Sequence, residues 1–154
     1  MQKVLITGSN GLLGQELISL FSKDTSFEVF GISKGKNRIE KTKNFNYFNI
    51  DITDKSKVIA ILEQVQPDFI IHGAAMTNVD LCETNTVLCD AINITATSYF
   101  VNYCKENTCH LIHISTDFVF DGEKEGFYVE NDTPNPINYY GLSKWNSKST
   151  FKKN

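Results

Sequence analysis

Gly8-Ser9-Asn10-Gly11-Leu12-Leu13-Gly14 follows the short apolar run Lys3-Val4-Leu5-Ile6-Thr7 and opens a segment in which Leu12, Leu13, Leu17, Ile18 and Phe21 recur at helical spacing. Glycine spacing carries meaning when the turn joins a buried strand to a helix. Gly8 permits a tight turn, Gly11 lets the main chain approach a pyrophosphate drawn to the free N–H groups of a helix N-terminus, and Gly14 lets the helix pack closely on the strand. The alternative is a purely structural strand-to-helix turn. Position favours the ligand: the first crossover of a doubly wound sheet is where dinucleotides bind. Gly8, Ser9, Asn10, Gly11, Leu12 and Gly14 are therefore the expected cofactor-binding residues of this turn.

The remainder of the chain alternates in the same manner. Apolar runs at Phe27 to Ile32, Phe45 to Ile50, Phe69 to His72 and Leu111 to Ile114 predict further strands. Between them, Asp54 caps a helix with Val58, Ile61, Leu62 and Val65 on one face, ended by Pro67. A single long helix is expected from Thr84 to Asn107, with Leu88, Ile92, Ala96, Phe100 and Cys104 on one stripe. Residues 117 to 138, with Gly122, Gly126, Pro134 and Pro136, form a loop before a helix that begins at Tyr139. Alternating strands and helices specify an α/β fold with a doubly wound parallel sheet.

Composition excludes several classes of function. The 154 residues are 41% apolar and 21% charged, with a net charge of -3. This is a globular composition without the clustered positive charge that nucleic acid or an anionic membrane requires. No apolar run reaches the roughly 20 residues of a membrane span, and the N-terminus lacks a signal peptide, so the chain reads as cytoplasmic. Cys82, Cys89, Cys104 and Cys109 include no C-x-x-C pair; they read as reduced packing thiols, and no metal is expected. The sequons at Asn93 and Asn131 are chance matches for a chain of that address.

Cofactor choice is set about 20 residues past the glycine turn, where a carboxylate binds a ribose 2′-hydroxyl and a base accepts a 2′-phosphate. The chain there reads Gly31-Ile32-Ser33-Lys34-Gly35-Lys36, with Arg38 beyond, and no carboxylate. That favours NADPH over NADH, against the alternative of a solvated loop edge. Asp51 and Ile52, just past the third strand, suit contacts at the adenine, although Asp51 is also a natural turn residue before Asp54.

Tyr140-Gly141-Leu142-Ser143-Lys144 places a phenol and an ammonium four residues apart, on one face of a helix. Upstream stands Ser115-Thr116-Asp117-Phe118-Val119-Phe120-Asp121-Gly122. With His72-Gly73-Ala74-Ala75-Met76-Thr77-Asn78-Val79-Asp80, Asn93 and the segment from Glu130 to Lys144, this octapeptide resembles the extended short-chain dehydrogenase/reductase superfamily, most closely its dTDP-4-dehydrorhamnose reductase branch. The likeness covers residues 3 to about 145.

The resemblance implies a NAD(P)-binding Rossmann fold and hydride transfer from nicotinamide to the C4 carbonyl carbon of a nucleotide-linked 4-keto-6-deoxy sugar. Tyr140 would donate the proton as general acid. Lys144 would hold the nicotinamide ribose and lower the phenol pKa, and Thr116 would hydrogen-bond the carbonyl. Ala74, Ala75 and Thr77 would line the cofactor, and Asp117, Val119 and Phe120 would face the sugar. His72, His110 and His113 read as packed neutral histidines. Asp117 with Asp121 does not amount to a glycosidase pair.

After Trp145 the family continues its helix, commonly through Gly-Glu, and adds roughly as many residues again for the rest of the sheet and the sugar-binding lobe. Here a polar stretch runs from Asn146 to Asn154. The expected organisation is a Rossmann domain over residues 1–145 and a non-homologous polar tail over 146–154, with the C-terminal part of the sheet and the substrate lobe missing. Three consequences are expected: fraying of the last helix, uncovered apolar surface, and association as a homo-oligomer or with a partner chain that supplies the missing lobe. Two other functions stay open on this evidence. One is a NAD-dependent sugar-nucleotide epimerase or dehydratase. The other is a non-catalytic nucleotide-binding regulatory subunit, like that of methionine adenosyltransferase.

Overall fold

The structure, a computed structural model, describes residues 1–39 and 43–151. Strands form at the apolar runs: β1 Gln2–Thr7, β2 Phe27–Ser33, β3 Phe45–Asn49, β4 Phe69–His72 and β5 His110–His113. Every pairing is parallel, in the order β3-β2-β1-β4-β5. Parallel neighbours need crossovers, supplied by α1 (Leu12–Phe21), α2 (Lys55–Val65) and the helical run from Val79 to Glu106. The winding direction reverses between β1 and β4. There the carboxyl ends of the two strands lie side by side, with Thr7 opposite His72, and the crevice beyond them is the ligand position of such sheets.

Alternation along β1 sorts its side chains onto two faces. Leu5 packs with Phe30, Val58, Leu62, Ile70 and Phe100, whereas Val4 and Ile6 pack with Ile18 of α1, Val29 and Ile71. Asp54 caps α2 as expected, accepting from the Lys57 N–H at 3.1 Å, and the helix stops at Val65. β3 and β5 are the sheet edges. On β5, Leu111 joins the α2 face of the core while Ile112, pointing to the other face, is 51% exposed.

The helix expected from Thr84 to Asn107 is divided. α3 spans Val79–Thr84, α4 Thr86–Asp90, a π turn Ala91–Thr95 and α5 Ala96–Glu106. Asn85 breaks the run by accepting from the Leu88 N–H at 3.1 Å, which starts α4 afresh. The π turn inserts a residue into the helical repeat, so one stripe cannot persist through it. Ala96 and Phe100 are buried in the core, whereas Leu88 is 40% exposed and, with Ile92, faces the crevice.

α6 spans Tyr139–Ser147, capped by Asn138 through the Gly141 N–H at 2.7 Å. The expectation is a frayed last helix beneath Tyr140 and Lys144. Instead the helix continues through a buried Ser147 into a 3-10 turn at Lys148–Phe151. Two contacts hold it: Ser147 Oγ lies 2.9 Å from His113 Nε2, and Lys105 Nζ donates to the Thr150 carbonyl at 3.0 Å. Residues 152–154 of the expected tail lie outside the described residues. Among the described residues, no helix is long and apolar enough to cross a membrane.

Candidate active site

Close backbone contact builds the glycine turn. Gly8 has φ +71°, and a β-carbon on it would lie 2.9 Å from the Ala74 nitrogen. One on Gly14 would lie 2.7 Å from the Ser9 Cα. Both positions therefore exclude side chains. Gly11 caps α1 with no side-chain hydrogen bond, which leaves first-turn N–H groups for a ligand. Ser9 is buried with its Oγ lacking a hydrogen-bond partner.

Above the turn opens a cavity of about 560 Å³. Gly8, Gly11, Leu12 and Gly14 line one side, Asp51 and Ile52 a second, and Ala74, Ala75 and Thr77 a third. Residues expected at one cofactor from three separate segments thus converge on one crevice, whereas Tyr140 and Lys144, expected at the same cofactor, do not line it. An elongated anionic ligand fits it, with bare backbone at the turn and apolar walls elsewhere. Ser9 and Asn10 are not on the wall. Asn10 is 8% exposed and spends its side chain on the loop after β2.

Asp51 is engaged rather than open. Its carboxylate pairs with Lys34 at 2.9 Å and accepts from the Thr53 N–H and hydroxyl at 3.0 and 2.8 Å. Lys34 first, then Thr53, holds this carboxyl down to about 2.

Tyr140 opens α6 and is 8% exposed. Thr116 stands within hydrogen-bonding reach of its phenol, and the Phe118 ring meets the Tyr140 ring edge-on at 5.8 Å. Thr116 also donates to Asp117 Oδ1 at 3.1 Å and accepts from the Phe118 N–H at 3.3 Å. The expected depression of the phenol pKa by Lys144 does not occur. Burial raises the phenol above its ordinary value, and although Thr116 opposes the rise, Cys82, Asp117 and Cys89 add to it. Lys144 is 3% exposed and its Nζ lies 3.4 Å from His113 Nε2. Burial lowers its own pKa to about 8. Lys144 is not among the groups that shift the phenol.

Of the residues expected at the sugar, Asp117 is exposed, whereas Val119 is buried in the interior. Phe120 stacks on Tyr128 at 4.2 Å. Asp121 ties down that loop, accepting from Tyr128 at 2.7 Å and Asn135 at 2.9 Å.

Three further residues organise the site, and the residue pattern alone assigned them no role. Asn93, buried in the π turn, accepts from the Met76 N–H at 2.8 Å and donates to the Met76 carbonyl at 3.1 Å and to Ser143 Oγ at 2.9 Å. Ser143 donates to the Tyr140 carbonyl at 2.8 Å. The turn after β4 is thereby bonded to the helix that carries the phenol. An asparagine amid the β-branched residues of a long helix was the available signal.

His72 extends the network. Thr97 donates to the Asn93 carbonyl at 2.7 Å, so it accepts from His72 Nε2–H at 3.0 Å; His72 Nδ1 then accepts from Thr7 Oγ1 at 2.7 Å. Thr7 in turn accepts from the Ala74 N–H at 3.0 Å. This donor order makes the fully buried His72 a neutral Nε2–H tautomer, and burial holds its pKa well below the ordinary value. His113 stacks on His72 at 5.3 Å and is lowered to about 4 by burial, with Lys144 adding to the effect. Cys82 and Cys89 are free thiols, buried 2.8 Å apart in a cluster with Met76 and Tyr140. No metal-binding group of His, Cys, Asp or Glu occurs among the described residues.

Comparison with known proteins agrees with this geometry. A family model described as the RmlD substrate binding domain matches residues 1–154. Over 139 residues the chain is 39% identical to a probable low-salt glycan biosynthesis reductase of Haloferax volcanii, covering 90% of this chain and 45% of that protein. A solved structure of a hypothetical dTDP-4-dehydrorhamnose reductase from Sulfolobus tokodaii matches with a TM-score of 0.86 and 40% identity, over 99% of this chain and 52% of that one. The dTDP-4-dehydrorhamnose reductase of Bacillus anthracis, solved in complex with NADP, matches at 0.78 and 30% identity, over 98% and 49%. The chain spans about half the length of the relatives it matches. A five-stranded parallel sheet, a glycine turn at its first crossover and a family match over residues 1–154 together place this chain in the RmlD substrate binding domain family, within the dTDP-4-dehydrorhamnose reductase branch of the extended short-chain dehydrogenases/reductases.

Proposed function

We propose that this chain carries the cofactor-binding and proton-donating part of an NAD(P)H-dependent reductase acting on the C4 keto group of a nucleotide-linked 4-keto-6-deoxy sugar. The observation that carries this reading is the approach of Thr116, just past the carboxyl end of β5, to the Tyr140 phenol, on the same sheet edge from which the glycine turn, Ala74, Ala75 and Thr77 line the cavity. Residues 1–145 act in it as the dinucleotide-binding domain, and protein beyond these residues completes the sugar site.

The bound cofactor supplies hydride; the protein's task is to position the carbonyl and supply a proton. Thr116 Oγ1 orients the carbonyl oxygen. Tyr140 holds a proton on its phenol through neutral pH, as any phenol does, and burial reinforces that state. It transfers that proton as the sugar oxygen becomes an alkoxide, a far stronger base than a phenolate. Lys144, nearly buried and without a carboxylate partner among the described residues, keeps ammonium donors for ribose hydroxyls. Asn93 and Ser143 fix the helix that presents both.

The test is NADPH and NADH oxidation with a nucleoside-diphosphate 4-keto-6-deoxyhexose. Turnover in the wild type and its loss in Tyr140→Phe support the assignment. Dinucleotide binding with no turnover on any such sugar favours the non-catalytic nucleotide-binding alternative.

A further inference from the structure

Asn10 lies between the glycines yet faces away from the cavity. Its Nδ2 donates to the Lys36 carbonyl at 2.9 Å and to Tyr47 Oη at 3.2 Å, and its Oδ1 accepts from the Arg38 N–H at 3.0 Å. Tyr47 Oη lies 2.6 Å from the Gly35 carbonyl and 3.0 Å from that of Ser33. Asn49 accepts from the Gly35 N–H at 2.8 Å. One amide, one phenol and a second amide therefore tie the main chain of residues 33–38 to the glycine turn and β3.

That segment holds Lys34, Lys36 and Arg38 and no carboxylate. Lys34 is paired with Asp51, whereas Lys36 and Arg38 are exposed and form no ion pair among the described residues. Asp51, the acidic residue nearest the cavity, has its oxygens committed to Lys34 and Thr53 and offers little to a free ribose hydroxyl. The loop after β2 thus reaches the crevice at Ser33 and Lys34 and, held against Asn10 of the glycine turn, carries two further cations with no ion pair among the described residues.

We propose that Asn10 is a specificity-setting positioning residue, which clamps the Lys36–Arg38 main chain beside the glycine turn so that the site selects a dinucleotide bearing an extra phosphate on its adenosine ribose. The inference rests on the dinucleotide reading above and adds the means of discrimination. A phosphate is best recognised by charge-assisted hydrogen bonds from side chains whose backbone is already ordered, because the ordering entropy is not charged to binding. Freed from Asn10, the same cations must be localised by the ligand.

Titration calorimetry with NADPH and NADH tests it on the wild type, Asn10→Ala and the double variant Lys36→Ala/Arg38→Ala. The wild type should bind NADPH at least about tenfold more tightly than NADH. The surface double variant should lose that preference by weakening NADPH alone. Asn10→Ala, which retains both cations, should also lose about tenfold for NADPH while NADH stays within about twofold. Tyr47→Phe, which removes the bridging hydroxyl and leaves the glycine turn unaltered, should shift the ratio in the same direction if Asn10→Ala fails to fold. Equal weakening of both ligands in Asn10→Ala marks a structural residue and overturns the proposal, as does equal binding by the wild type. Binding of neither dinucleotide by folded wild-type protein overturns the cofactor reading as well.

Discussion

Gly141 rests directly on the main chain of Phe118, so that a β-carbon at 141 would run into the Phe118 carbonyl. This contact seats the first turn of α6 on the turn at residues 117–119 and brings Tyr140 within reach of Thr116. The glycine inside the Y-x-x-x-K segment thus lets the helix that carries the phenol sit against the turn that follows Thr116.

Gly141→Ala should therefore both destabilise the protein and separate the Tyr140 and Thr116 hydroxyls. Overpacking against backbone costs about 1–3 kcal/mol. Urea unfolding should show a lowered midpoint, and carbonyl reduction should fall further than that of a surface control. An unchanged midpoint would refute the close contact.

Asn93→Ala removes the partner of the Met76 N–H and carbonyl and one partner of Ser143 Oγ, all three residues being buried. The expected loss is about 2–4 kcal/mol, large for one polar side chain, because several buried groups are orphaned together. Thermal unfolding measures it, and amide hydrogen exchange at Met76 should rise in step.

Lys144 makes stability rise with alkali over a defined window. Its folded pKa, about 8, lies below the ordinary 10.5. Between these values the unfolded chain binds more protons than the folded one, so unfolding free energy increases as pH rises. The span corresponds to roughly 3 kcal/mol. The raised phenol of Tyr140 acts oppositely, its contribution being lost only as pH climbs past the ordinary tyrosine range. Denaturant titrations from pH 7 to 10 should show the rise in the wild type and its absence in Lys144→Met.

His113 gives the acid side its slope. Its folded pKa near 4 lies below the ordinary 6.5, so its contribution is complete above pH 6.5 and is lost as pH falls toward 4. His72 acts in the same direction, and Asp51, lowered to about 2, weakens the fold only in stronger acid. In His113→Phe the stability profile between pH 6.5 and 4 should flatten; an unchanged slope assigns the loss to His72 alone.

Local pattern carried much of this protein. Five apolar runs became five strands, Asp54 capped its helix, and Gly8, Gly11 and Gly14 met at a strand-to-helix turn, because propensity, capping and turn geometry are settled within a few neighbouring residues. The same locality explains what was misread. A stripe running through Leu88, Ile92 and Phe100 is good helical grammar, but Asn93 bonds to Met76 and Ser143, 17 and 50 residues distant, and the helix widens into a π turn there.

The sequence by itself determined an α/β chain with a nucleotide-binding turn and a Y-x-x-x-K helix, since those features are written in spacing. Only the tertiary structure decided which way each charge and hydroxyl is spent: Asp51 on Lys34, Asn10 on the loop after β2, Lys144 beside His113 and Ser147 against the same imidazole. Those outcomes depend on desolvation and on partners brought from far along the chain, and neither quantity exists until the strands have taken the order β3-β2-β1-β4-β5.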